Sequence, residues 1–144
     1  MNRLMILILC VAGCSPATDQ PATNQTDKPT VQEKPAEVPS LAGEWNVTAS
    51  NGKPLTQVFP MTASVSRDQL TVHSECVSFA WAYTQDRNIV SFKPGAVRHC
   101  ARNQTQNENE AQRAIGGANI ALFLQEEREV QLSGNGGTVT LTRR

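Results

Sequence analysis

Four cysteines, at positions 10, 14, 76 and 100, and two histidines, at 73 and 99, are the side chains from which chemistry would have to start. A thiol can be acylated, oxidised to a disulfide or bound to a metal as thiolate, and its surroundings decide which. His73, Cys76, His99 and Cys100 supply the right atoms for a zinc site but not the right directions. On extended chain, His73 and Cys76 face opposite sides, as do the adjacent His99 and Cys100, so no metal site is expected. No serine sits in a G-x-S-x-G turn and neither histidine has a local signature, so a nucleophilic triad is not expected. Glu108, Glu110, Glu126, Glu127 and Glu129 could be drawn as paired carboxylates, but a solvated helix face and a turn account for them. Phosphate-loop, C-x-x-C and haem motifs are absent. The expectation is a protein without catalytic residues, cofactor or enzymatic activity.

Cys14 has a different setting. Arg3 gives a positive start, Leu4 to Val11 is an unbroken apolar run, and the small Ala12 and Gly13 stand just before the cysteine. The run is too short to cross a hydrocarbon core of about 30 Å as a permanent helix. Val11-Ala12-Gly13-Cys14 resembles the lipobox of bacterial lipoproteins. The resemblance implies a signal peptide over 1–13, cleavage before Cys14 and lipid on its sulfur and new amine. Two or three acyl chains exceed what reversible single-chain binding provides, so the membrane is an expected partner through Cys14. Ser15 after the cysteine, rather than Asp, implies the outer membrane of the cell envelope, facing the periplasm. Cys10 leaves with the signal.

Residues 14–40 read as the lipidated cysteine and a tether. Five prolines (16, 21, 29, 35 and 39) punctuate a stretch rich in Thr, Gln, Asp, Glu and Lys, with almost no large apolar residue. Such a segment buries too little surface to offset its ordering entropy, so disorder is expected. Its reach would be about 30 Å as a coil, enough to lift a domain off the lipid head groups.

Processing leaves Cys76 and Cys100 as the remaining thiols. In an oxidising periplasm, a disulfide between them is favoured over the metal site. Lys and Arg balance Asp and Glu at 13 each, so no basic surplus argues for nucleic acid as a partner.

The pattern changes at Leu41, and residues 41–144 read as one domain. Trp45 and Val47 alternate with Glu44, Asn46 and Thr48 before an Asn51-Gly52 turn. Met61 to Ser66 and Gln69 to Ser74 read as strands around Arg67-Asp68. Val77, Phe79, Trp81 and Tyr83 share one face, and the small residues opposite predict close backbone packing or a second layer. Asn88 to Lys93 is a strand expected to stop at Pro94-Gly95. Ala111, Ala114, Ile115 and Ala118 recur at helical spacing, with Glu108, Glu110, Gln112 and Arg113 on the opposite side and Gly116-Gly117 as the stop. Asn119 to Gln125, Glu129 to Ser133 and Thr138 to Thr142 complete the strands, the last two as a hairpin across the glycine-rich 134–137. The fold class is α+β, mainly antiparallel β: a small barrel-like meander with one helix.

Leu41-x-Gly43-x-Trp45 with Gly52-Lys53-Pro54, Cys76 seven residues before Tyr83, Cys100 before a Glu-rich helix, and the closing glycine-turn strands resemble the META domain of HslJ-like envelope proteins. Glu75 stands where that family usually has Gly, and Val77 where it has Asn. The resemblance implies the same fold and a non-enzymatic role in envelope integrity or stress and drug tolerance, through an unidentified envelope protein or small ligand. Two other readings remain open. One is a periplasmic inhibitor of a lysozyme-type hydrolase, with Ser133-Gly134 as its loop. The other is a small-ligand or lipid-binding barrel, which depends on whether Trp45, Phe79 and Trp81 fill the interior.

Overall fold

The computed structural model describes residues 39–56, 58–98 and 100–144. Cys14, the expected signal peptide, most of the expected tether and His99 lie outside the described residues. The described residues belong to one compact unit.

Its strands are β1 (Gly43–Ser50), β2 (Lys53–Pro54), β3 (Met61–Val65), β4 (Gln69–Ser74), β5 (Val77–Asp86), β6 (Ile89–Arg98), β7 (Ala118–Leu124), β8 (Glu129–Gly134) and β9 (Gly137–Arg143), with helix α1 (Gln106–Gly116) between β6 and β7. β2 is a short flap on β1. The other eight pair antiparallel in chain order, and β9 returns to β1, closing an eight-stranded barrel. The mainly antiparallel meander with one helix is therefore the observed fold. The chain enters at Pro39, at the end that also holds the β3–β4, β5–β6 and β7–β8 turns (the near end). The far end holds the β1–β2, β4–β5 and β8–β9 turns and the connection through α1.

Period-two alternation explains the wall. Val77, Phe79, Trp81 and Tyr83 of β5 are all buried, while Ser78, Ala80 and Ala82 turn outward. The small outer face allows close backbone approach, because a Cβ on Gly95 would stand 3.0 Å from the Ala80 carbonyl oxygen. Asn51 and Gly52 both take positive φ, 49° and 74°, as a two-residue hairpin turn requires. In the last hairpin Val130 faces Leu141 and Leu132 faces Val139. Its tip packs its backbone onto the last turn of α1, where a Cβ at Gly136 would collide with the Arg113 carbonyl.

Three expectations are corrected. Pro94-Gly95 does not stop β6, which runs on to Arg98 with a register shift opposite Phe79 and Trp81. β6 meets β7 at one registered pair, Ile89 with Ile120, so the missing N–H of Pro94 breaks no ladder on that side. Ala118 opens β7 instead of extending the helical face. Glu108, expected on the solvated side of the helix, is 1% exposed. Its side chain turns back to the helix start, where Thr105 and Glu108 form a reciprocal capping box.

The interior is filled. Trp45, Phe79, Met61, Leu70, Leu132 and Leu141 are each no more than 1% exposed, and Trp81 is 3% exposed. An eight-stranded barrel has room for about that many side chains. Each large apolar side chain removed from water contributes roughly 1.5–3 kcal/mol, which places the main stabilisation here. At the near end Trp45 donates its indole N–H to the Leu41 carbonyl at 2.8 Å, and the Arg143 guanidinium stacks 4.3 Å over its ring. At the far end α1 lays Ala111, Ala114 and Ile115 against the core.

Candidate functional site

The far end gathers the residues with the most pronounced chemistry. Cys76 lies in the β4–β5 turn and Cys100 in the connection after β6; their sulfurs are 2.02 Å apart and their Cα atoms 5.6 Å apart. That separation suits a disulfide without backbone movement. The bond closes a 24-residue separation over β5 and β6, which in the chain-entropy account is worth about 3 kcal/mol. Both sulfurs are then committed to each other, not to the zinc constellation weighed with His73 and His99.

Two residues past Cys100, Arg102 acts as a hub that the sequence reading missed. Its Nη2 donates to Glu108 Oε1 at 2.6 Å and its Nη1 to Glu108 Oε2 at 2.9 Å, a fork-on-fork pair. The remaining donors reach Glu75 Oε2 (3.2 Å), the Ser74 carbonyl (3.2 Å) and the Asn103 carbonyl (3.1 Å). The guanidinium also stacks 4.1 Å from the Phe59 ring centroid. A guanidinium has five N–H donors, and here all are spent inside the protein. Glu108 in turn accepts the Thr105 backbone N–H at 2.7 Å. The Arg102 hydrogen bonds outweigh burial and hold the Glu108 carboxyl at about 2, well below the usual carboxylate range. An ionised carboxylate with both oxygens occupied is no general acid or base near neutral pH. The cluster fastens the α1 start to the β4–β5 turn; its chemistry is structural. The sequence did carry one signal for it, the Thr105-x-x-Glu108 capping box.

The other expected residues are placed as follows. Glu110 accepts from Gln106 Nε2 at 2.8 Å on the exposed helix side, and Glu129 accepts from Gln125 Nε2 at 3.2 Å in the β7–β8 turn. Gln125, Glu126 and Glu127 all have positive φ in the β7–β8 turn at the near end, whereas Glu108 lies at the start of α1 at the far end, so the glutamates do not form one carboxylate pair. Ser133 bonds Thr138 across the hairpin at 3.3 Å, and Gly134 packs against the Gly117 carbonyl. The Ser133-Gly134 pair is thus built into the seat of α1 and does not form a projecting loop. Along the outer wall, Ile89, Ile120, Leu122 and Leu124 are 42–66% exposed, with Ile89 and Ile120 directly paired. Surface clefts described at the far end include one of about 370 Å³ between the β1–β2 turn and α1, bordered by Ser50, Lys53 and Glu110.

No protein-family model, no curated protein and no solved structure matches the chain.

Proposed function

We propose that the chain is a lipoprotein of the bacterial envelope, anchored through lipid on Cys14. Its META-like barrel would act without catalysis, binding an envelope protein in support of envelope integrity or of tolerance to stress and drugs. The observation that carries the binding part is the packed interior: Trp45, Phe79 and Trp81 occupy the space a cargo would need, which leaves the outer wall for recognition. The aliphatic strip of Ile89, Ile120, Leu122 and Leu124 is the kind of surface that partners cover. The META resemblance gains support at Glu75, whose φ of 54° lies in the left-handed region that favours glycine, the residue usual there in that family. Neither the hydrolase-inhibitor reading nor the carrier reading has an observation in its favour, given the seated Ser133-Gly134 and the filled core.

A photo-crosslinking residue in place of Leu122, introduced in intact cells, tests the binding reading. A discrete protein adduct is expected. No adduct from Ile120, Leu122 or Leu124, together with one equivalent of lipid carried by the extracted protein, would support a carrier instead.

A further inference from the structure

At the near end, a cleft of about 290 Å³ opens between Pro39 and Ser40, Arg67 of the β3–β4 turn, Tyr83 and Gln85 of β5, and Arg87 of the β5–β6 turn. Tyr83 also borders an adjoining cleft of about 250 Å³ with Lys93 and Asp68. Tyr83 is 6% exposed, its ring stacked on Phe92 at 5.9 Å. Among the described residues its hydroxyl has no hydrogen-bond partner, and burial alone pushes its phenol up. The ring is buried while the hydroxyl stays accessible at the cleft wall, a donor open to a ligand. Neither the Arg67 nor the Arg87 guanidinium makes an ion pair or hydrogen bond among the described residues, although Asp68 and Asp86 are their sequence neighbours. Gln85, by contrast, is fully occupied: it accepts from Leu41 N–H and donates to the Pro39 and Arg87 carbonyls at 3.0, 2.7 and 2.8 Å. It fixes the floor of the cleft and joins the incoming chain to the Arg87 turn.

We infer that this cleft is a binding site for a phosphate-type oxyanion, gripped by the Arg67 and Arg87 guanidiniums and by the Tyr83 hydroxyl as third donor. Two planar forks and one O–H are the donors that tetrahedral oxyanions select. The volume lies near the small limit of ligand sites, which fits a head group or a small phosphomonoester. The cleft also lies beside Pro39, where the chain arrives from the tether. The oxyanion can therefore come from a phospholipid head group or from a soluble phosphate. The site itself does not depend on the anchoring reading; the lipid source does.

The test uses the chain from residue 14 onward with Cys14→Ser, which keeps the whole compact unit and excludes acylation. Calorimetric titration with inorganic phosphate should show saturable binding. Arg67→Gln with Arg87→Gln should weaken it about tenfold or more, and Tyr83→Phe about threefold or more. Lys53→Gln with Arg98→Gln removes the same charge at the far end and should change affinity less than twofold. No saturable phosphate binding, or an equal loss in the far-end variant, overturns the site. Flotation with vesicles of phosphatidylglycerol and phosphatidylethanolamine then assigns the source. Vesicle binding lost in the Arg67/Arg87 variant identifies the lipid head group, while phosphate binding without vesicle binding identifies a soluble ligand. Vesicle binding as strong in the Arg67/Arg87 variant as in its parent overturns the lipid source.

Discussion

Arg102 holds Glu108 through both terminal nitrogens, at 2.6 and 2.9 Å, around a carboxylate that is 1% exposed while the arginine side chain is 22% exposed. This pair couples three things: the capped start of α1, the β4–β5 turn and the segment that carries Cys100. Removing Arg102 leaves the buried Glu108 carboxylate without its countercharge, holding only the helix-start donors such as the Thr105 N–H. Arg102→Ala should cost about 3–5 kcal/mol in denaturant unfolding, and Arg102→Met with Glu108→Leu should recover most of it. A single variant as stable as the parent would show that the pair contributes little.

The same pair makes stability depend on acid pH. The folded carboxyl of Glu108 titrates at about 2, below its ordinary value of 4.5, so its contribution is present in full above about pH 4.5. It is lost as pH falls from there through about 2. Unfolding midpoints measured between pH 6 and 2 should fall across that window, and the fall should flatten in Glu108→Gln, which starts lower. Parallel curves for both proteins would remove Glu108 as the cause.

Glu75 offers a backbone test in the same cluster. Its φ of 54° penalises a residue with a Cβ, and its ion pair with Arg102 at 3.2 Å is half exposed and weak. Glu75→Gly and Glu75→Ala lose that pair alike, yet the glycine variant should be the more stable by about 1 kcal/mol. Equal stabilities would mean that the turn relaxes away from the left-handed conformation.

The disulfide is expected to be structural. Cys76→Ser with Cys100→Ser should lose about 2–4 kcal/mol while leaving the barrel circular dichroism intact at low temperature. Alkylation of two thiols in the native, unreduced protein would contradict the bond.

Much of this fold is legible because a barrel wall repeats a local rule. Val77, Phe79, Trp81 and Tyr83 announce an inward face two residues at a time, and Val130, Leu132, Val139 and Leu141 announce a hairpin. What escaped depends on contacts distant along the chain. Glu108 looks solvated because its helix shows only a small Ala111–Ala114–Ile115 stripe; its burial comes from Arg102 in the preceding loop and from the β4–β5 turn. Phe59 lies under the same guanidinium from 43 positions away. Pro94 reads as a stop because its missing N–H normally breaks a ladder, and only the tertiary pairing shows that β6, laddered to β5, has almost no ladder on its β7 side. The near-end cleft was invisible for a similar reason: Arg67, Tyr83 and Arg87 come to border one cleft only once the β3–β4 and β5–β6 turns close around Pro39.

The central claim, a barrel carried on a lipid anchor, rests on Cys14 and its setting after Leu4–Gly13. Metabolic labelling with radioactive palmitate, followed by membrane fractionation, tests it most directly. The wild-type chain should incorporate label and sediment with membranes, and should accumulate as precursor under globomycin. Cys14→Ser should incorporate none. Label retained by Cys14→Ser, or an unlabelled wild-type chain, would contradict the account.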